Sequence, residues 1–238
     1  MLSTNALSAV AGVCLSAAAF AFPTFVGHIK FYDSYGSTGG GEFRCEPQAD
    51  FTFVPAATGT PFQFGVPAGA PKFESFCVEK YEHIEFDTLL EADLNTVTTS
   101  QASEYAGGAH GGFSDPLDAR TAYLYDHFIH QTLTTPYDYI NEGPRIDDAN
   151  ALQTAIWFIE AEDATPLLGK ALDFYNEANA AVNSGAWVGL GDVRILNIYT
   201  NTARIDYQDE LVIVPGPSGV AVLGLAGLGC LLPRSRRR

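Results

Sequence analysis

The chain has 238 residues, 47% hydrophobic and only 17% charged, which supports one sizeable folded core and argues against wholesale disorder. Its formal net charge is −15, and four of its 13 basic residues (Arg234, Arg236, Arg237 and Arg238) crowd the last five positions, leaving nine basic against 28 acidic residues elsewhere. That balance disfavours nucleic acid or anionic membrane as a ligand, since each needs a basic footprint, and it fits a well-solvated surface.

Residues 1–21 read as a secretory signal, with an apolar run from Ala6 that ends in Ala19-Phe20-Ala21 and cleavage expected after Ala21. The n-region lacks Lys and Arg, and Cys14 leaves with the signal. The body is expected to occupy residues 22–213 as a single domain. Residues 25–32 partly alternate and are rich in aromatic and β-branched side chains, which predicts a strand. A glycine-rich loop follows at 34–41, then strands at 42–45 and 51–54, a proline- and glycine-rich loop at 55–71, and one or two strands within 72–86. Phe73, Phe76, Val78, Tyr81 and Ile84 are the expected inward positions of that last stretch.

From Ser114 the hydrophobic period lengthens to a helical one. Asp115 and Pro116 form a helix start, and Leu117, Thr121, Leu124 and Phe128 share a face. After a loop at 134–145, Asp147 and Asp148 precede a helix over 151–160 in which Leu152, Ala155, Ile156 and Ile159 form one apolar face. A third helix is predicted over 166–183, and strands at 193–199 and 205–214. The expected fold is α+β, with sandwich-like or barrel-like strands from the N- and C-terminal parts flanking a three-helix insert.

Gln153 is an amide among hydrophobes. It is either a satisfied hydrogen-bonding group in the packing or an acyl donor to a nearby nucleophile. Outside the terminal segments the cysteines are Cys45 and Cys77, and in an oxidising compartment a disulfide between them is one expectation. His127 and His130 stand at i, i+3, but no third ligand has zinc-site spacing, so neither metal nor cofactor is expected. No nucleophile elbow, phosphate loop or dinucleotide fingerprint supports an enzyme. Glu79, Glu82, Glu85 and Asp87 make an acidic cluster, most simply a solvated strand face.

The tail from 214 to 238 runs Val214-Pro215-Gly216-Pro217-Ser218-Gly219, a 220–232 apolar stretch, Pro233 and the arginine cluster. The apolar stretch is shorter than the roughly 20 residues of a spanning helix. With Pro215, Pro217 and Ser218 ahead of it and Arg234, Arg236, Arg237 and Arg238 behind, it resembles the PEP-CTERM sorting signal of bacterial envelope proteins, with Gly216 in place of the usual Glu. The resemblance implies transient association with the inner membrane, processing by an exosortase-type peptidase, and delivery to the cell surface or extracellular matrix. A retained C-terminal anchor is the alternative.

Phe76-Cys77-Val78-Glu79 on a strand and Gln153-Thr154-Ala155-Ile156-Trp157 on a helix together resemble the bacterial thioester domain family. The resemblance implies that Cys77 attacks the Gln153 amide, releases ammonia and leaves an internal thioester, which then captures an amine on a surface protein or polymer. Phe76, Trp157 and Glu79 would support that bond, with Glu79 orienting the amine. Cys45 keeps two alternatives open: a Cys45–Cys77 disulfide in a passive structural envelope protein, or free thiols.

Overall fold

The computed structural model describes residues 23–36, 40–60, 72–99 and 115–216. The expected signal peptide, and the tail from Pro217 onward with Ser218 and the four arginines, lie outside the described residues; Pro215 is exposed just after the last strand. Six strands and three helices are formed among the described residues, in the order β1 (Thr24–Tyr32), β2 (Phe43–Pro47), β3 (Phe73–Ser75), β4 (Leu90–Asn95), α1 (Ala119–Ile129), α2 (Glu142–Ile159), α3 (Gly169–Asn183), β5 (Val193–Thr200) and β6 (Asp206–Ile213). The fold is α+β as expected, with the helices inserted between β4 and β5. No helix of the described residues is long and apolar enough to cross a membrane.

The strands form one antiparallel sheet in the order β3-β2-β1-β4-β5-β6. Its two outer strands then approach each other. Just past β3, Leu211 N donates to Phe76 O (3.1 Å) and Val78 N donates to Asp209 O (3.0 Å), which nearly closes the sheet into a barrel. Side-chain alternation therefore separates two cores. Ile29, Phe31, Cys45, Phe73, Leu196 and Val212 fill the barrel interior. Phe76, Leu124, Phe128, Leu152, Ile156 and Leu211 pack between the sheet and the helices.

Three departures from the predicted elements have physical causes. β4 has the sequence Leu-Glu-Ala-Asp-Leu-Asn, whose acidic and amide residues are poor strand formers. Its place between β1 and β5 overrides that preference by ladder bonds on both edges. The expected strand at 51–54 is instead an irregular crossing, where a Cβ on Gly27 would lie 2.7 Å from Phe51 Cα. α2 begins at Glu142, well before 151, because Pro144 falls in the first turn, where its missing N–H has no helical partner to lose. Asp148 consequently sits inside the helix, paired with Lys170 and accepting from Asp138 N. On α1 the capping side chain is Asp118 and not Asp115.

The helical layer buries several carboxyls. Glu42 is paired with Arg145, both fully buried, and also accepts from the Tyr137 hydroxyl at 2.9 Å. Burial pushes its carboxyl up to about 6 despite the guanidinium, and pushes Glu160 at the end of α2 up to about 8. Both groups hold protons in the fold at a pH where the unfolded chain, near 4.5, has released them. Their contribution to stability is complete below that unfolded value and is lost as pH rises through 6 and then 8. Thermal unfolding followed across this range should show a falling midpoint, and Glu160→Gln should flatten the upper part of the fall; a midpoint that rises over that span contradicts the assignment.

Candidate functional site

Cys77 lies where the barrel closes, and its position in the ladder decides what its backbone can do. The closing bonds flank it on both sides, so Cys77 and Glu210 are a non-hydrogen-bonded antiparallel pair. In such a pair the N–H and C=O of each residue point away from the partner strand. Those of Cys77 therefore face α2, and the Gln153 side chain meets both. Cys77 N donates to Gln153 Oε1 at 3.1 Å, and Gln153 Nε2 donates to Cys77 O at 2.8 Å. The amide completes the edge of the strand as another peptide would.

A second donor reaches the same oxygen from the glycine-rich loop: Gly41 N lies 3.1 Å from Gln153 Oε1. The Cys77 thiol is 3.2 Å from that oxygen. Gln153 and Cys77 are both buried. Two backbone N–H groups on one carbonyl oxygen, with a thiol at contact distance, form an oxyanion-hole arrangement around an acyl carbon. Burial, and next the Glu210 carboxyl, push the Cys77 thiol well up, while the nearby backbone N–H groups pull it down. The resting group is a thiol, so attack on the amide carbon requires its proton to be taken away.

Close packing holds this geometry. Trp157, one turn beyond Gln153, reaches into the barrel end and lies against Gly40. A Cβ on Gly40 would come within 2.3 Å of the Trp157 ring and 2.9 Å of Gln153 Cγ, at a backbone φ of +152°. Gly40 also lines a cleft of about 580 Å³ whose wall includes Asp33, Lys80, Glu82, His83 and Phe86. Gly40 thus borders both the cleft and the Gln153 side chain.

Of the other residues expected at the site, Trp157 is placed there and Phe76 is not: its ring points to the helical side and packs edge-on against Phe128 at 5.0 Å. Glu79, two residues past Cys77, is buried near Asp209 and the half-buried Glu82, whereas Glu85 and Asp87 of the expected solvated acidic face are exposed. Burial first, then Asp209 and Glu82, push its carboxyl up, so it is held protonated. Cys45 and Cys77 are both free thiols, and the expected disulfide is not formed. The ladder explains this, since Cys45 stands opposite Phe73, four residues before Cys77. At about 3.3 Å per residue that is ~13 Å of strand, beyond the roughly 7 Å Cα separation a disulfide spans. His127 and His130 bond backbone carbonyls of their own helix, and no metal-binding group of side chains occurs among the described residues.

The sequence reading missed Gly40, Gly41 and Glu210. The consecutive glycines beside a strand were a signal of close backbone approach, whereas nothing local marked Glu210 as buried. No protein-family model, characterised protein or solved structure matches this chain.

Gly40→Ala places a methyl group against the indole in a strained backbone conformation. It should destabilise the fold by ~1–3 kcal/mol in denaturant titrations. An unchanged stability would mean that the loop does not bear on Trp157.

Proposed function

We propose that this is an exported bacterial cell-surface or matrix protein, directed by its PEP-CTERM-like tail, that forms an internal thioester between Cys77 and Gln153 and uses it to attach covalently to an amine-bearing partner. The observation that carries this reading is the Gln153 carbonyl oxygen, held at 3.1 Å by Gly41 N and by Cys77 N with Cys77 Sγ at 3.2 Å. A core amide that served packing alone would need its hydrogen bonds satisfied but would not need a thiol beside its acyl group. Here the two residue types that can condense are in contact across 76 positions of sequence. The surrounding burial keeps water from a thioester, and the adjoining cleft offers an approach for an amine.

Intact mass of the purified, non-reduced body tests the bond: a thioester lowers it by about 17 Da through loss of ammonia, and methylamine then restores and exceeds that mass. Cys77→Ala and Gln153→Ala should each show the full mass and no adduct. A wild-type protein at the mass of free thiols, or a 17 Da loss that persists in Cys77→Ala, would overturn the thioester and leave a passive structural protein with two buried thiols.

The sorting half of the proposal is tested separately. Removal of residues 214–238 should release the body from the cell fraction into the medium or hold it inside, as followed by immunoblot of fractionated cells. An unchanged distribution counts against a sorting role for the tail.

A further inference from the structure

Gln153 and Gly41 occupy one side of Cys77, and the other side holds a group so far unused. Glu210 on β6 is the strand partner of Cys77, in the non-hydrogen-bonded type of pair, where Cα atoms lie about 4.5 Å apart and side chains are closest. Its side chain shares the interior face of β6 with Val212 and is fully buried. Neither carboxyl oxygen makes a hydrogen bond of good geometry among the described residues, and the neighbouring Ser75 hydroxyl interacts with it only weakly. Ser75 Oγ, also in the barrel, donates to Leu211 O at 2.7 Å. A buried carboxyl so poorly satisfied destabilises a fold, and this one is the strand partner of the Cys77 thiol.

We infer that Glu210 is the proton carrier of the Cys77–Gln153 reaction, accepting the proton of Sγ and delivering one to nitrogen when the bond forms, and running in reverse when an amine opens it. This rests on the thioester reading above. In the forming direction the Sγ–Cδ bond is made and the Cδ–Nε2 bond breaks. The thiol proton moves to one oxygen of Glu210, the proton on the other oxygen moves to Nε2, and ammonia departs with the carboxyl neutral again. In the opening direction an amine nitrogen bonds Cδ, Sγ leaves, and one amine proton passes through the carboxyl to Sγ. A neutral carboxyl suits the exchange because it carries an O–H donor and a carbonyl acceptor together. Burial pushes Glu210 well up and holds it in that neutral form, so no net charge crosses the apolar interior.

The Glu210 carboxyl acts electrostatically on Cys45 from β2, on Cys77 just past β3 and on the Tyr125 hydroxyl from α1, has Ser75 as its neighbouring hydroxyl, and lies opposite Leu196 of β5. Burial pushes the Cys45, Cys77 and Tyr125 groups well up as well, which keeps them protonated around the carboxyl.

The test is the rate at which newly synthesised full-length chain loses about 17 Da, followed by intact mass during cell-free synthesis of wild type, Glu210→Gln and Glu210→Asp. Glu210→Gln is isosteric and uncharged, so it should keep the wild-type unfolding midpoint while forming the bond at least about 100-fold more slowly, and Glu210→Asp should recover part of the rate. A folded Glu210→Gln that loses ammonia at the wild-type rate overturns the inference and leaves the thioester standing. A wild type that never loses the mass overturns the thioester reading, and this one with it. If Glu210→Gln does not fold, Glu210→Met, which fills the same space with an apolar side chain, decides by the same mass readout: a folded variant at least about 100-fold slower than wild type supports the inference, and one at the wild-type rate overturns it.

Discussion

The site depends on which kind of ladder position Cys77 occupies. A residue in the alternate, hydrogen-bonded position would give its N–H and C=O to β6 and have nothing for an amide on α2. Because Cys77 falls between the closing bonds, its backbone turns outward to Gln153 while its neighbours Phe76 and Val78 tie β3 to β6. A one-residue slip of this register would exchange the faces of Phe76 and Cys77, putting an aromatic ring in the barrel and the thiol among the helices. Closure of the barrel and assembly of the Cys77–Gln153 contact are the same structural event.

The helical layer serves this contact by fixing α2. That helix is buried on several sides, with Leu152 and Ile156 in the helical core and Gln153 and Trp157 turned to the barrel end. Arg145, one helical stretch upstream, is paired with Glu42 and bonds the Tyr139 carbonyl at 2.8 Å, with its guanidinium 4.0 Å from the centre of the Tyr35 ring. Glu42 directly follows Gly41. The buried ion pair thus anchors the glycine loop to the helix that presents the amide. An ion pair of this kind adds little to net stability, since desolvation offsets its attraction, but it fixes geometry well.

Much of this was legible in the sequence where the signal is periodic and local. The apolar face around Gln153 and the helical run before it can be read from side-chain spacing, but the strands expected over 72–86 shrink to β3, with Cys77 in an isolated bridge to Glu210 and Tyr81 exposed. Cys45 illustrates the limit, because its separation from Cys77 depends on strand register, which no local pattern states. Glu210 is harder still: with Asp209 it forms an acidic pair ahead of Leu211, Val212 and Ile213, of the kind a solvated stretch of strand carries, and only closure of the sheet puts both faces of β6 inside. β4 was missed for the related reason that its partners, and not its composition, make it a strand. The acidic stretch after Cys77 reads as solvated because charge runs usually are, which holds for the exposed Glu85 and Asp87 and fails for Glu79. In the fold, Glu79 and Asp209 are buried, and loss of water first, with neighbouring carboxyls adding to it, pushes both groups up.

The seating of Trp157 against Gly40 has an optical consequence. The chain has two tryptophans, and they sit in unlike surroundings. Trp187 is partly exposed and donates its indole N–H to Gly189 O at 2.8 Å, whereas the buried Trp157 has no partner for its N–H among the described residues and has the Lys80 ammonium 5.6 Å from its ring centre. Emission from Trp157 belongs at the blue edge of the indole range and that from Trp187 toward the red. A change in the packing of Gly40 against the indole alters the polarity around Trp157 and leaves Trp187 untouched, so the molecule carries a built-in fluorophore beside the Cys77–Gln153 contact.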